Sequence, residues 1–240
     1  MAIDLSYEHS EAPNVPPPGH VLDNSIWESL TGHHARFAER HGRAVRYQPD
    51  VSPFMALEDP QDERCWDDAA ELVGPDGSVT VPGVNTPPDG WKTTLYGQGV
   101  QLIDTAVRAV PDPEAVVLGP DDVPEVLDLV QRTRPGPFGQ RTIELGTYLG
   151  IRRDGRLIAV AGERQHPPGW VELSAVCTDP AFRGQGLASR LILAVSAVIK
   201  ERGETPFLHA LESNTNAVRL YESLGFTLRR RTIFASFTRL

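Results

Sequence analysis

The chain has 240 residues, of which 40% are hydrophobic and 23% charged, a balance that supports a buried core and excludes a disordered chain. Its 23 basic and 32 acidic side chains leave a formal net charge of −9, which argues against generic nucleic-acid or anionic-membrane binding, where affinity comes from Lys and Arg against phosphate. With only two cysteines, Cys65 and Cys177, a disulfide scaffold and a Cys-rich zinc site are excluded as well.

In chain order, the opening residues lack the basic stretch and apolar run of an export signal. No segment approaches the roughly 18 apolar residues that would span a bilayer, so a reduced, cytoplasmic location without membrane contact is expected. Pro13, Pro16, Pro17 and Pro18 make residues 1–22 a mobile, polyproline-like arm. Residues 23–113 read as an N-terminal α/β lobe. Asp23 or Asn24 caps a helix through about His41, with Ile26, Leu30 and Phe37 at near-helical spacing. A second helix is expected at 62–73 around Trp66, Ala69, Ala70 and Leu72, with short strands near 43–47, 53–57, 78–81 and 91–96. The adjacent His33 and His34 read as a solvated helix face, and no histidine spacing supports a metal site.

Pro111 and Pro113 mark a seam, and residues 114–240 read as a second domain. Asp121 and Asp122 open a helix carrying Val126, Leu127 and Val130, which ends before Pro135. Strands at 147–153 and 156–162 are joined by Asp154-Gly155, a favoured two-residue hairpin turn. A strand over 170–177 follows, then a helix from Gly184–Gly186 to Gly203 with Leu187, Leu191, Val195, Val198 and Ile199 on its buried side. Strand 205–211, a helix over 214–224 closed by Gly225, and two strands in 226–240 complete the chain. The pattern is a mixed α/β layer with helices covering a sheet.

Two stretches carry chemistry. In Thr178–Ala188, two glycines let backbone approach a ligand closely, just where a helix presents its unpaired N–H groups and positive dipole end. Arg183 adds charge beside the turn, so a phosphate-bearing ligand is the expectation. The dinucleotide fingerprint fits badly, because position 189 is Ser189 where a third glycine belongs, and a Walker loop is absent. Farther on, Asn214, Ala217 and Tyr221 share one helix face. Judged singly, Asn214 reads as a helix cap and Tyr221 as a core aromatic.

Together, Arg-x-x-Gly-x-Ala at 183–188 and Asn-x-x-Ala-x-x-Leu-Tyr-x-x-x-Gly-Phe at 214–226 resemble the two signature motifs of the GNAT superfamily of acyl-CoA-dependent N-acetyltransferases. The resemblance covers about 115–240 and implies a GNAT-like α/β (α+β) fold, a mixed central sheet flanked by helices. By analogy with two-lobed members, the N-terminal lobe reads as a degenerate, substrate-shaping second half. It also implies acetyl-CoA as co-substrate, an amine-bearing acceptor and no metal. The backbone of Val176, Cys177 and Thr178 would bond the pantetheine arm and polarise the thioester. Arg183, Gly184, Gln185, Gly186, Leu187, Ala188 and Ser189 would wrap the diphosphate. Asn214 would touch the pantetheine, and Tyr221 would protonate the departing thiolate.

An amine titrates near ~10.4 when unperturbed, so a base or a desolvating pocket must free its lone pair. Glu172, with Ser174 and Val176 on one strand face, lies eleven positions before Arg183, where some family members keep a glutamate base. A structural pairing of Glu172 with an arginine is the alternative. Glu144, Tyr148 and His209 are candidates for the amine pocket, His209 reading equally as a satisfied core histidine. Cys177 lacks a nearby histidine to activate it and reads as packing. A polyamine, an aminoglycoside-like compound, a lysine side chain and a protein N-terminus are all compatible acceptors, and a homo-oligomer is compatible with the sequence. A non-catalytic acyl-CoA-sensing module is the competing function.

Overall fold

The computed structural model describes residues 19–240. Most of the expected arm, residues 1–18, lies outside that range, and Val21–Asn24 at its end form a helical turn. The N-terminal half contains α1 (Ser25–Thr31), β1 (Ala38–His41), β2 (Ala44–Tyr47), β3 (Met55–Leu57), α2 (Glu63–Val73) and β4 (Ser78–Thr80). The helix expected through His41 stops at Thr31. Gly32 ends it, and residues 38–47 fold instead into the β1–β2 hairpin, joined to β3 in a three-stranded sheet.

The expectation of a solvated His33–His34 pair holds for His33 alone. His34 is 1% exposed, with Nδ1 against the Tyr47 hydroxyl at 2.9 Å and Nε2 against the Leu145 carbonyl at 3.0 Å. Burial keeps its imidazole neutral down to about 3, against an ordinary 6.5. Between those values the unfolded chain binds a proton that the folded chain does not, so stability falls as pH drops through that window. At pH 5 the loss is about 2 kcal/mol. Urea midpoints should therefore fall between pH 7.5 and pH 5, and His34→Gln should narrow that gap; an unchanged gap would mean that His34 is not responsible.

The main sheet has eight strands. After β5 (Trp91–Asp104), its members are β6 (Val116–Val117), β7 (Tyr148–Arg153), β8 (Arg156–Glu163), β9 (Trp170–Thr178), β10 (Thr205–Leu211) and β11 (Phe226–Arg239). Their order is β4-β11-β5-β10-β9-β8-β7-β6. All neighbours are antiparallel except β9 and β10. The Asp154-Gly155 turn joining β7 to β8 has φ of 51° and 79°, as its hairpin type requires.

Two expectations are corrected here. Strand 91–96 runs on to Asp104 through Gly97 and Gly99, the second of which makes room for an aromatic neighbour: a Cβ on Gly99 would stand 2.4 Å from the ring of Phe234. The two strands expected in 226–240 are one 14-residue strand, which finds its long partner in β5. The sheet therefore runs across the proline seam, with β5 wedged between β10 and β11.

Alternation sorts side chains to two faces. Val100 and Leu102 of β5, Val171 and Leu173 of β9 and Leu208 of β10 pack with α4 (Leu187–Glu201). Tyr221 of α5 (Thr215–Leu224) joins the same cluster. The opposite face is covered by α3 (Val123–Thr133) and the N-terminal lobe. Among the described residues, no helix is long and apolar enough to cross a membrane.

Candidate active site

The turn between β9 and α4 is anchored from beneath. Asp179, 3% exposed, accepts from the Ala181 amide at 2.9 Å, from Arg132 at 2.7 Å and from Arg156 at 2.8 Å. Above it, Gly184 and Gly186 have φ of +77° and +73°, a region open mainly to glycine, and a Cβ at either would meet nothing within 4 Å. Gly186 is the N-cap of α4 and supplies no side-chain acceptor. The amides of Leu187, Ala188 and Ser189 in the first turn thus lack intrahelical partners at the positive end of the dipole. Arg183 and Gln185 are exposed beside them. Such a turn is suited to an anionic group.

Parallel pairing of β9 with β10 runs from Trp170–Thr205 to Leu173–Leu208 and then ends. Beyond it, β9 stays with β8 and β10 with β5, so the two strands part. A bulge at Ala175 (φ 53°) accompanies the parting and reverses the facing of the strand: Ala175 and Cys177 pack toward α3, Val176 toward α4. Glu172 and Val176 consequently do not share a face, as simple alternation had implied. Among the described residues, the β10-facing edge of β9 from Ser174 to Thr178 has no ladder partner, and the buried Thr178 hydroxyl makes no hydrogen bond. An extended arm carrying amide groups could add to that edge. Cys177 is buried, its thiol pushed up to about 11 by burial, which fits packing and not nucleophilic attack.

Tyr221 is 9% exposed, and burial pushes its hydroxyl up to about 12. It thus holds its proton throughout the neutral range. Complete transfer of its proton to a thiolate of ordinary pKa near ~8.5 would be uphill, so the hydroxyl is suited to donating a hydrogen bond. Asn214 caps α5, with Oδ1 accepting from Ala217 at 3.3 Å; its Nδ2 remains available for a ligand.

On the opposite face lies a cleft of about 270 Å³, walled by residues 22–26 and 54–58 of the N-terminal lobe and floored by Gln101, His209 and Phe234 of the sheet. Glu172 does not line it. Its carboxylate is fully buried, receiving Arg164 Nε at 2.8 Å and Nη2 at 2.7 Å and facing His209 Nδ1 at 2.7 Å. Against the opposing effect of burial, Arg164 and His209 hold it down at about 2. A carboxylate so held is a poor proton acceptor, which corrects its assignment as the base; the arginine pairing is what the structure contains. Two pocket candidates are corrected as well. Glu144 is exposed and paired with Arg141 at 2.8 Å, and Tyr148 is buried in the core at 1% exposure. His209 alone of the three reaches the cleft.

Comparison with known proteins places this geometry. A family model described as FR47-like protein matches residues 148–235. A solved structure from Novosphingobium aromaticivorans, assigned to the acetyltransferases of the GNAT family, is 38% identical, superposes with a TM-score of 0.84, and is matched over 92% of this chain and 100% of its own. The chain belongs to the GNAT family. Among the curated relatives, the [Ribosomal protein bS18]-alanine N-acetyltransferase of Salmonella typhimurium is 31% identical over 48% of this chain and 82% of its own length. The mycothiol acetyltransferase of Thermomonospora curvata is 43% identical over 83 residues, 34% of this chain. The chain spans only 28% of that enzyme's length. The mixed sheet with its parted parallel pair is the GNAT architecture that the motifs implied.

Sequence reasoning missed Arg164, Gln101 and Arg229. Arg164 follows β8 outside any motif. Gln101 and Arg229 become visible only once β5 is known to lie between β10 and β11.

Proposed function

We propose that this chain transfers an acetyl group from acetyl-CoA to an amine, with the diphosphate on the first turn of α4 and the acceptor in the cleft under the N-terminal lobe. The observation that carries this reading is the opening between β9 and β10. It lies between the α4–α5 face, which holds the glycine cradle and Tyr221, and the lobe face, which holds the cleft. The thioester would thread the gap from one side while the amine meets it from the other. Val176, Cys177 and Thr178 lie on the open edge of β9, Arg183 through Ser189 form the cradle, and Asn214 stands at the start of α5. Residues of the 23–113 lobe form the outer wall of the cleft, which makes that lobe the part that selects the acceptor.

Bound acetyl-CoA supplies an activated acyl carbon; the protein supplies position and hydrogen bonds. Backbone amides on the open edge of β9 would polarise the carbonyl, and Tyr221 would hydrogen-bond the sulfur as charge develops there. The test is calorimetric titration with acetyl-CoA, followed by thiol release against a panel. The panel holds a peptide beginning with alanine, a lysine peptide, spermidine and an aminoglycoside. The first follows the relative named for bS18-alanine acetylation. Saturable binding with thiol release on at least one amine is expected. Binding without release on any would favour a cofactor sensor instead.

A further inference from the structure

With Glu172 locked by Arg164, the proton of the acceptor amine needs another destination. The side chains on the lobe-facing side of the sheet supply one. His209 is the first residue of β10 beyond the last β9–β10 pair, Leu173–Leu208, so it stands where the two strands part and also lines the cleft.

Its tautomer is fixed by a network anchored at both ends. Gln101, 2% exposed and opposite His209 in register, accepts from Arg229 Nη1 through Oε1 at 2.6 Å. Through Nε2 it donates to the Leu22 carbonyl at 3.0 Å. The Gln101 amide is therefore oriented, and its Nε2, 3.0 Å from His209 Nε2, can only donate. His209 Nε2 must accept, so the ring proton sits on Nδ1 and is donated to Glu172. Glu172 is in turn locked by Arg164, which stacks over Phe54 with its guanidinium carbon 4.9 Å from the ring centre.

Resting on the acetyl-transfer reading above, we propose that His209 is the catalytic residue that takes the amine proton, and that Glu172 and Gln101 are positioning residues that fix its tautomer and ring orientation. The acceptor nitrogen displaces or shares the Gln101 contact. As the nitrogen–carbon bond forms and the carbon–sulfur bond breaks, one N–H proton passes to Nε2. The sulfur leaves with the electron pair of the broken bond, hydrogen-bonded to Tyr221, and takes a proton from solvent; His209 then returns its own to solvent. The net change is amine plus thioester to amide plus thiol. The imidazolium so formed is stabilised by the Glu172 carboxylate. Other groups around it are Arg164 beside Glu172, Arg229 and Arg230 on β11, Asp23 accepting from both of those arginines, and Glu58 on the cleft wall.

The experiment uses the full chain and has two arms. His209→Asn keeps a donor in the place of Nδ1–H for Glu172 and removes the Nε2 lone pair. With the best amine of the panel, kcat should fall about 100-fold, while acetyl-CoA affinity stays unchanged. A kcat equal to that of the wild type would overturn the proposal. The second arm needs no turnover: nitrogen-15 spectra of the free protein should show the His209 ring proton on Nδ1, with Nε2 unprotonated. A proton on Nε2 would overturn the proposal even if no amine were acetylated, whereas failure of the panel alone would strike only the acetyl-transfer reading.

Discussion

Replacing Gly186 with valine should remove detectable acetyl-CoA binding while leaving the fold in place. Gly186 sits at φ +73°, where a β-branched residue is strained, and its surroundings are open. The isopropyl group would project into the space over the first turn of α4 and shift the amides that follow. Two charge-assisted hydrogen bonds lost there amount to about 4 kcal/mol, or about 1,000-fold in Kd. The strain itself, roughly 1–3 kcal/mol, falls on an exposed turn anchored separately through Asp179. Circular dichroism should therefore stay native, with a melting point lower by only a few degrees. Calorimetric affinity within tenfold of the parent would place the diphosphate elsewhere.

Tyr221→Phe should separate catalysis from binding. The ring packs in the α4 cluster with Phe226, centroids 6.2 Å apart, and phenylalanine retains that packing. What is lost is one hydrogen-bond donor toward the sulfur as it gains charge, and removal of such a donor lowers kcat by about 100- to 1,000-fold. Burial holds the hydroxyl near 12, so it does not ionise between pH 6 and 9. The loss should accordingly be uniform across that range, with the Kd for acetyl-CoA unaltered. A parallel rise in Kd would show the hydroxyl to be a binding group.

The local geometry of the proposed cofactor side is legible in the sequence because its elements are contiguous. Gly184, Gly186 and the helix that follows are contiguous, and a phosphate cradle made of backbone needs only the right turn before the right helix. The same holds for the α5 motif, with Asn214 at its cap and Gly225 at its stop. The acceptor side was illegible because it is assembled across the sheet. Glu172, His209 and Gln101 come from three strands, and one of those lies before the proline seam. The Ala175 bulge, a single residue of positive φ, defeated the alternation that paired Glu172 with Val176. His34 was misplaced for a related reason: its partners, Tyr47 and Leu145, are distant in sequence.

The wedging of β5 between β10 and β11 bears on how specificity can be exchanged among relatives. A chimaera cut at the prolines of 111–113 would carry off β5, the strand beside His209, and Gln101 with it. A junction before Trp91 keeps β5 with β10 and β11 but exchanges β4, the strand paired with the end of β11, together with the outer wall of the cleft. Ancestry by simple addition of a detachable adaptor is thus a poor description of this molecule; its two halves share a spine.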